Sequence, residues 1–210
     1  MKFAKLMMAA ALLAGTLFVV TGCGESQSGK PQSGKSQRQL QQESLANLKQ
    51  IGTACKMYSA DCCESFPVNL SGLVTQCFLT DPKVFVSPLD KKRTPADFSK
   101  FPNYGTHRAQ DVYSFSFPEA NLSYVYLGAG LKETTKPEFP IAFEKPDLVI
   151  DGLSINVLFA DGSVRNYCFS KKDFPRTCVE VVKYFAGPLS NDKDYPILLK
   201  NAEEIDKKAK

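Results

Sequence analysis

Residues 155–169 read INVLFADGSVRNYCF, two apolar runs on either side of Asp161-Gly162. Val, Ile, Phe and Tyr favour strands, and an Asp-Gly pair supplies the positive φ angles of a tight two-residue turn. The stretch is therefore expected to form a β-hairpin with Asp161 and Gly162 at its tip. Two shorter runs rich in β-branched and aromatic residues come before it, SYVYLG (123–128) and PIAFEKP (140–146), and read as further strands.

Upstream the period changes. In residues 39–61, QLQQESLANLKQIGTACKMYSAD, an apolar stripe of Leu45, Leu48, Ile51, Cys55 and Tyr58 recurs at three- and four-residue spacing, with Gln, Lys and Ser opposite. That is an amphipathic helix, and it should stop near Cys62, before the Phe66-Pro67 step. Leu70 to Leu79 suggests a short helical turn, followed by an extended KVFVSPLD. From Lys91 to Leu122 three prolines and no sustained period give a long irregular excursion. It carries Phe98, Phe101, Tyr104, Tyr113, Phe115 and Phe117, which either line a binding face or pin the loop to the body, and the chain's one histidine, His107, which reads as a solvated loop residue. Beyond the hairpin, residues 177–187 read as a helix or a last strand, and the tail from Pro196 as a short amphipathic helix fraying into solvated charge.

The amino-terminal end belongs to another class. Lys2 and Lys5 precede fifteen uncharged, mostly apolar residues, Leu6 to Val20. As a helix that run spans about 22 Å, short of a bilayer core of about 30 Å, so a secretory signal is expected over residues 1–22. Val20-Thr21-Gly22-Cys23 resembles the lipobox of bacterial lipoproteins. The resemblance implies cleavage after Gly22, thioether lipidation of Cys23 and acylation of the new amino terminus. A multiply acylated Cys23 would be a stable membrane anchor on the periplasmic side, and Gly24 resembles the sorting residue of lipoproteins sent to the outer membrane rather than kept at the inner. Residues 24–38, GESQSGKPQSGKSQR, contain no large apolar side chain and should act as a tether between Cys23 and a single globular domain at 39–210. A domain of that size buries roughly 70% of its unfolded surface. The net charge of +4 falls to +2 once Lys2 and Lys5 leave, too little to suggest a nucleic-acid partner.

Besides Cys23 there are six cysteines: Cys55, Cys62, Cys63, Cys77, Cys168 and Cys178. An even number in an exported domain is compatible with disulfides, with fifteen connectivities open. Cys55 lies on the helix stripe and reads as a small buried hydrophobe. One bridge is expected from Cys62 or Cys63 to Cys77. A second, from Cys168 to Cys178, would close a ten-residue loop worth on the order of 3 kcal/mol.

Three stretches in order, SLANLKQIGTACKMYSADCCESFP, KVFVSPLDKK, and SYVYLGAGL with INVLFADGSVR, resemble pilin-like proteins marked by a His-(any nine)-Asp-Gly motif and related to type II secretion pseudopilins. The resemblance implies an α+β, pilin-like domain with one long helix packed across a small antiparallel sheet. The departures bear on function. Asp151 stands at the motif's His position, Ser163 where a second His is frequent, and Ser87 where a Cys is frequent, so no metal or cofactor role is carried over. The family's glutamate-bearing hydrophobic spine is replaced by the lipobox and tether, so polymerisation in the usual way is not expected. These features imply a non-enzymatic envelope lipoprotein whose head binds or scaffolds a partner, with a secretion or pilus-like machine as the expected setting. The alternative is a periplasmic carrier holding a small molecule or glycan in the 91–122 excursion. Catalysis by a Ser-His-Asp or Cys-His set would require His107, and no Gly-x-Ser-x-Gly motif is present.

Overall fold

A computed structural model describes residues 35–100, 117–148 and 153–209. Gly22, Cys23, Phe101, Tyr104, His107, Tyr113, Phe115 and Asp151 lie outside them. The chain is an α+β protein. Its sheet has four strands, β1 (Tyr124–Tyr126), β2 (Pro140–Glu144), β3 (Ser154–Phe159) and β4 (Val164–Cys168), in that spatial order with antiparallel neighbours. Its helices are α1 (Gln37–Asp61), α2 (Ser71–Thr75), α3 (Cys178–Ala186) and α4 (Tyr195–Lys208).

Helix α1 begins two residues earlier than its apolar stripe suggests, because Ser36 closes a capping box. The Ser36 hydroxyl accepts from the Gln39 amide at 3.3 Å, and the Gln39 side chain accepts from the Ser36 amide at 2.8 Å. Residues 36–38, assigned to the tether from composition, therefore belong to the head. The helix follows the β3–β4 hairpin: Gln41 donates to Ser154 at its open end, and Lys49 donates to the Gly162 carbonyl at its turn. Leu48, Ile51, Cys55 and Tyr58 are buried as expected, but one turn before Leu48 polar Ser44 faces inward and Leu45 is only half-buried.

The all-buried β2 and β3 are explained by cover on both faces. Asn156 and Leu158 meet α1, whereas Phe159, on the opposite side, packs edge-on against Phe185 of α3 at 5.9 Å. Tyr167 of β4 reaches the same ring at 4.5 Å. Residues 177–187 are thus a helix, with Thr177 as its N-cap. The tail is a 14-residue helix with Leu198 and Ala202 buried, not a fraying end. Its Asn201 donates to the Leu127 and Ala129 carbonyls beyond β1.

Two local expectations change. KVFV is not extended: Pro82–Phe85 form a turn of 3-10 helix, started by Pro82 and by the Asp81 carboxylate accepting the Lys83 amide. The hairpin closes through three residues, not two. The Gly162 amide donates to the Phe159 carbonyl, and the Phe159 amide donates to the Ser163 carbonyl, both at 2.9 Å. Only Gly162 takes positive φ, at 81°, while the Asp161 carboxylate accepts the Ser163 amide at 2.7 Å. That is the pattern of a type I turn followed by a left-handed residue.

Gly52 sets how closely α1 approaches β3, since a Cβ there would lie 2.5 Å from Leu158 Cδ1. Alanine would gain about 1 kcal/mol in helix propensity, but overpacking a filled interface costs about 1–3 kcal/mol. G52A is expected to lower the urea midpoint, whereas Thr53→Ala, exposed on the same helix, leaves it nearly unchanged.

Candidate functional site

The structure gathers its most unusual chemistry at the interface of α1 with the sheet. Glu144 ends β2 and is only 3% exposed, and it enters no ion pair among the described residues. Its carboxylate is held by hydrogen-bond donors from two elements. Ser44 of α1 donates to Oε1, Asn156 of β3 donates its amide to Oε2 at 2.8 Å, and Asn156 Nδ2 donates to Oε1 at 3.2 Å. A second layer surrounds these groups. Ser87 donates to the Ser44 hydroxyl at 2.9 Å, Tyr124 Oη shares a hydrogen bond with it at 3.0 Å, and Asn166 donates to Asn156 at 2.9 Å. Burial pushes the Glu144 carboxyl above its ordinary value, against the pull of the Ser44 and Asn156 hydrogen bonds. Burial also pushes the Tyr124 phenol up. The sequence reading missed this cluster. Its signal was present as one polar residue inside each apolar run, Glu144 in PIAFE and Asn156 in INVLF, and as Ser44, read with the polar face although it lies four residues before buried Leu48.

Among the described residues no two cysteines are joined. Cys55, Cys62, Cys63, Cys77, Cys168 and Cys178 are all free thiols, so neither the bridge to Cys77 nor the Cys168–Cys178 bridge is formed. Cys168 is exposed and bonded to Asn166, whereas Cys178 is buried at the start of α3 beside Asp206. Burial pushes the Cys55 thiol up to about 12, and burial together with Asp206 raises Cys178, so neither is poised as a thiolate nucleophile. Asp161 is exposed, and its role in the structure is the turn. Hydrogen bonding by Ser163 outweighs its slight burial and holds its carboxyl below the usual range. Of the excursion's aromatic residues, Phe98 and Phe117 are buried against Phe85, with centroids 6.1 and 4.6 Å away. Both pin the excursion's ends to the core.

A second constellation lies beside β1, where β2 ends. A hollow of about 460 Å³ is bounded by Arg93, by Lys145 just after β2, by Arg176 just before α3 and by Lys208 in the last turn of α4, with Val125 and Ile205 as apolar wall. Its two carboxylates are engaged. Asp206 accepts the Cys178 and Val179 amides at 2.9 and 3.0 Å, tying α4 to the N-terminus of α3, and Asp147 accepts Arg93 at 3.1 Å. Arg93 also bonds Asp90, which Ser123 holds from the other side at 2.7 Å. Burial would raise the Asp90 carboxyl, but its bonds from Ser123, Arg93 and the Lys92 amide bring it below the usual range.

Among the described residues, no group of three or more His, Cys, Asp or Glu is placed to hold a metal ion, and no helix is long and apolar enough to cross a membrane.

The raised Glu144 carboxyl gives a pH dependence of definite sign. Above the ordinary value of 4.5 the unfolded chain has lost a proton that folded Glu144 keeps, so its contribution to stability falls as pH rises until the folded value is passed. Asp90 and Asp161 are shifted the other way, and their contributions are lost only as pH falls below 3.8. Urea midpoints measured upward from pH 4.5 should carry a declining component that Glu144→Gln lacks. Ser44→Ala removes one donor from the buried carboxylate and is expected to cost about 2 kcal/mol, more at high pH than at low. Compared with known proteins, the chain matches no protein-family model, no curated protein and no solved structure.

Proposed function

We propose that the chain is a non-enzymatic envelope lipoprotein. Acylated Cys23 holds it at the membrane, and a pilin-like head serves as a binding or scaffolding module for a protein of a type II secretion or pilus-like system. The observation that carries this reading is the capping box at Ser36. In pilins and pseudopilins the hydrophobic segment and the globular helix are one uninterrupted helix. Here the globular helix starts with its own cap, thirteen positions after Cys23, as a head on a polar tether requires. The long α1 laid across a four-stranded antiparallel sheet supports the pilin-like assignment. A non-enzymatic role is supported by the state of the strongest titratable groups: Glu144 is sealed under α1, and Cys55 and Cys178 are raised by burial.

Intact mass of the protein extracted from its native membrane fraction tests the anchor. The expected chain starts at Cys23 and carries acyl groups, and Cys23→Ala should leave the membrane fraction. A chain retaining residues 1–22, or one beginning beyond Cys23 without lipid, would overturn the reading.

A further inference from the structure

We propose that the free edge of β4 is a self-association surface, on which a second copy of this chain docks by pairing its own β4 antiparallel across Asn166. Such pairing needs neither the anchor nor the partner proposed above.

The sheet order leaves β1 and β4 as edges, and the two differ. β1 has three residues, with Tyr124 and Val125 buried. β4 has five, with Arg165, Asn166 and Cys168 exposed. It contains no proline and a single charge, Arg165, and it pairs with β3 without a register shift, so little blunts this edge. The ladder also fixes which groups point outward. The Phe159 amide donates to the Ser163 carbonyl at one end, and the Phe169 amide donates to the Leu153 carbonyl at the other. By the two-residue period, Arg165 and Tyr167 then take the bonds to β3. Val164, Asn166 and Cys168 turn their amides and carbonyls away from β3, and no hydrogen bond among the described residues takes them.

Register decides the occupant. In an antiparallel pair centred on Asn166 of each copy, Val164 stands opposite Cys168, Asn166 opposite Asn166, and Arg165 opposite Tyr167. Every outward amide then meets an outward carbonyl. A slip of one residue would set outward groups against residues already bonded to β3, and a slip of two would lose an outward pair. The strand's one charge meets a ring and not its own copy. Within its own chain Arg165 already lies over a ring, that of Phe159, at 5.1 Å from the centroid. β4 is in this way complementary to itself, as a two-fold interface requires. Apolar surface continues from the strand: Phe169 follows β4 directly, and its ring meets that of Tyr184, which is 57% exposed, at 5.1 Å.

The test is sedimentation equilibrium of the full-length protein in density-matched detergent, over a range of concentrations. A concentration-dependent dimer is expected. Asn166→Lys and Asn166→Glu each set like charges directly opposite one another, and each should weaken the dimer about tenfold or more. Mixed in equal amounts, the two variants should dimerise again, because opposite charges then meet. The Asn166 bond to Asn156 is lost in both alike, so only charge explains that recovery. Thr53→Lys, exposed on α1, should change the dimer by less than about twofold. Cys168→Pro removes an outward amide and no bond to β3, and should weaken the dimer while leaving the urea midpoint nearly unchanged. A monomer at every concentration, a dimer that survives both Asn166 variants, or variants that stay monomeric when mixed would each overturn the proposal. So would a Cys168→Pro dimer as strong as that of the unaltered chain.

Discussion

Glu144, a buried carboxylate that enters no ion pair among the described residues, holds α1 and the sheet in register. Glu144 sits at the end of β2, and its oxygens accept from α1 through Ser44 and from β3 through Asn156. Tyr124 brings β1 into the same network, and Ser87 brings in the segment after the Pro82–Phe85 turn. Leaving any of these donors out would strand a desolvated charge, so each element has one position and one rotation that satisfies it. Hydrophobic burial supplies the driving force for docking α1, but it tolerates sliding. The Glu144 network does not.

From that constraint the arrangement of the surface follows. With α1 fixed along the β3–β4 hairpin, the opposite face of the sheet must be covered, and α3 and α4 cover it through Phe185, Leu198 and Ala202. The Asp206 carboxylate joins these helices where their ends meet the edge of β1 and β2. The same junction brings Lys145, Arg176 and Lys208, which are far apart in sequence, to one concavity. The helix that carries Ser44 begins at its own cap, Ser36.

What was legible in the sequence was what local periodicity controls. The α1 stripe, the three strand runs and the Asp161-Gly162 hairpin all came from spacing and turn chemistry, and together they gave the α+β class. The boundaries set by side-chain caps were less visible. Ser36 sits in a polar stretch whose composition reads as tether, and its capping role depends on Gln39 turning back to its amide. Asp161-Gly162 marked the turn but not its length, because the Asp161 side chain takes the Ser163 amide and only Gly162 adopts positive φ.

Tertiary structure alone decided the rest. Ser44, Glu144 and Asn156 each look like an isolated polar interruption of an apolar pattern, and only the packing of α1 on the sheet makes them partners. The cysteines show the converse: an even count suggested bridges, yet Cys168 ends exposed while Cys178 is buried beside Asp206. Periodicity reports which face of an element is apolar, a property of neighbours within one or two turns. Which polar groups meet across a core, and which cations converge on a groove, depends on contacts between residues a hundred positions apart, and no local pattern encodes them.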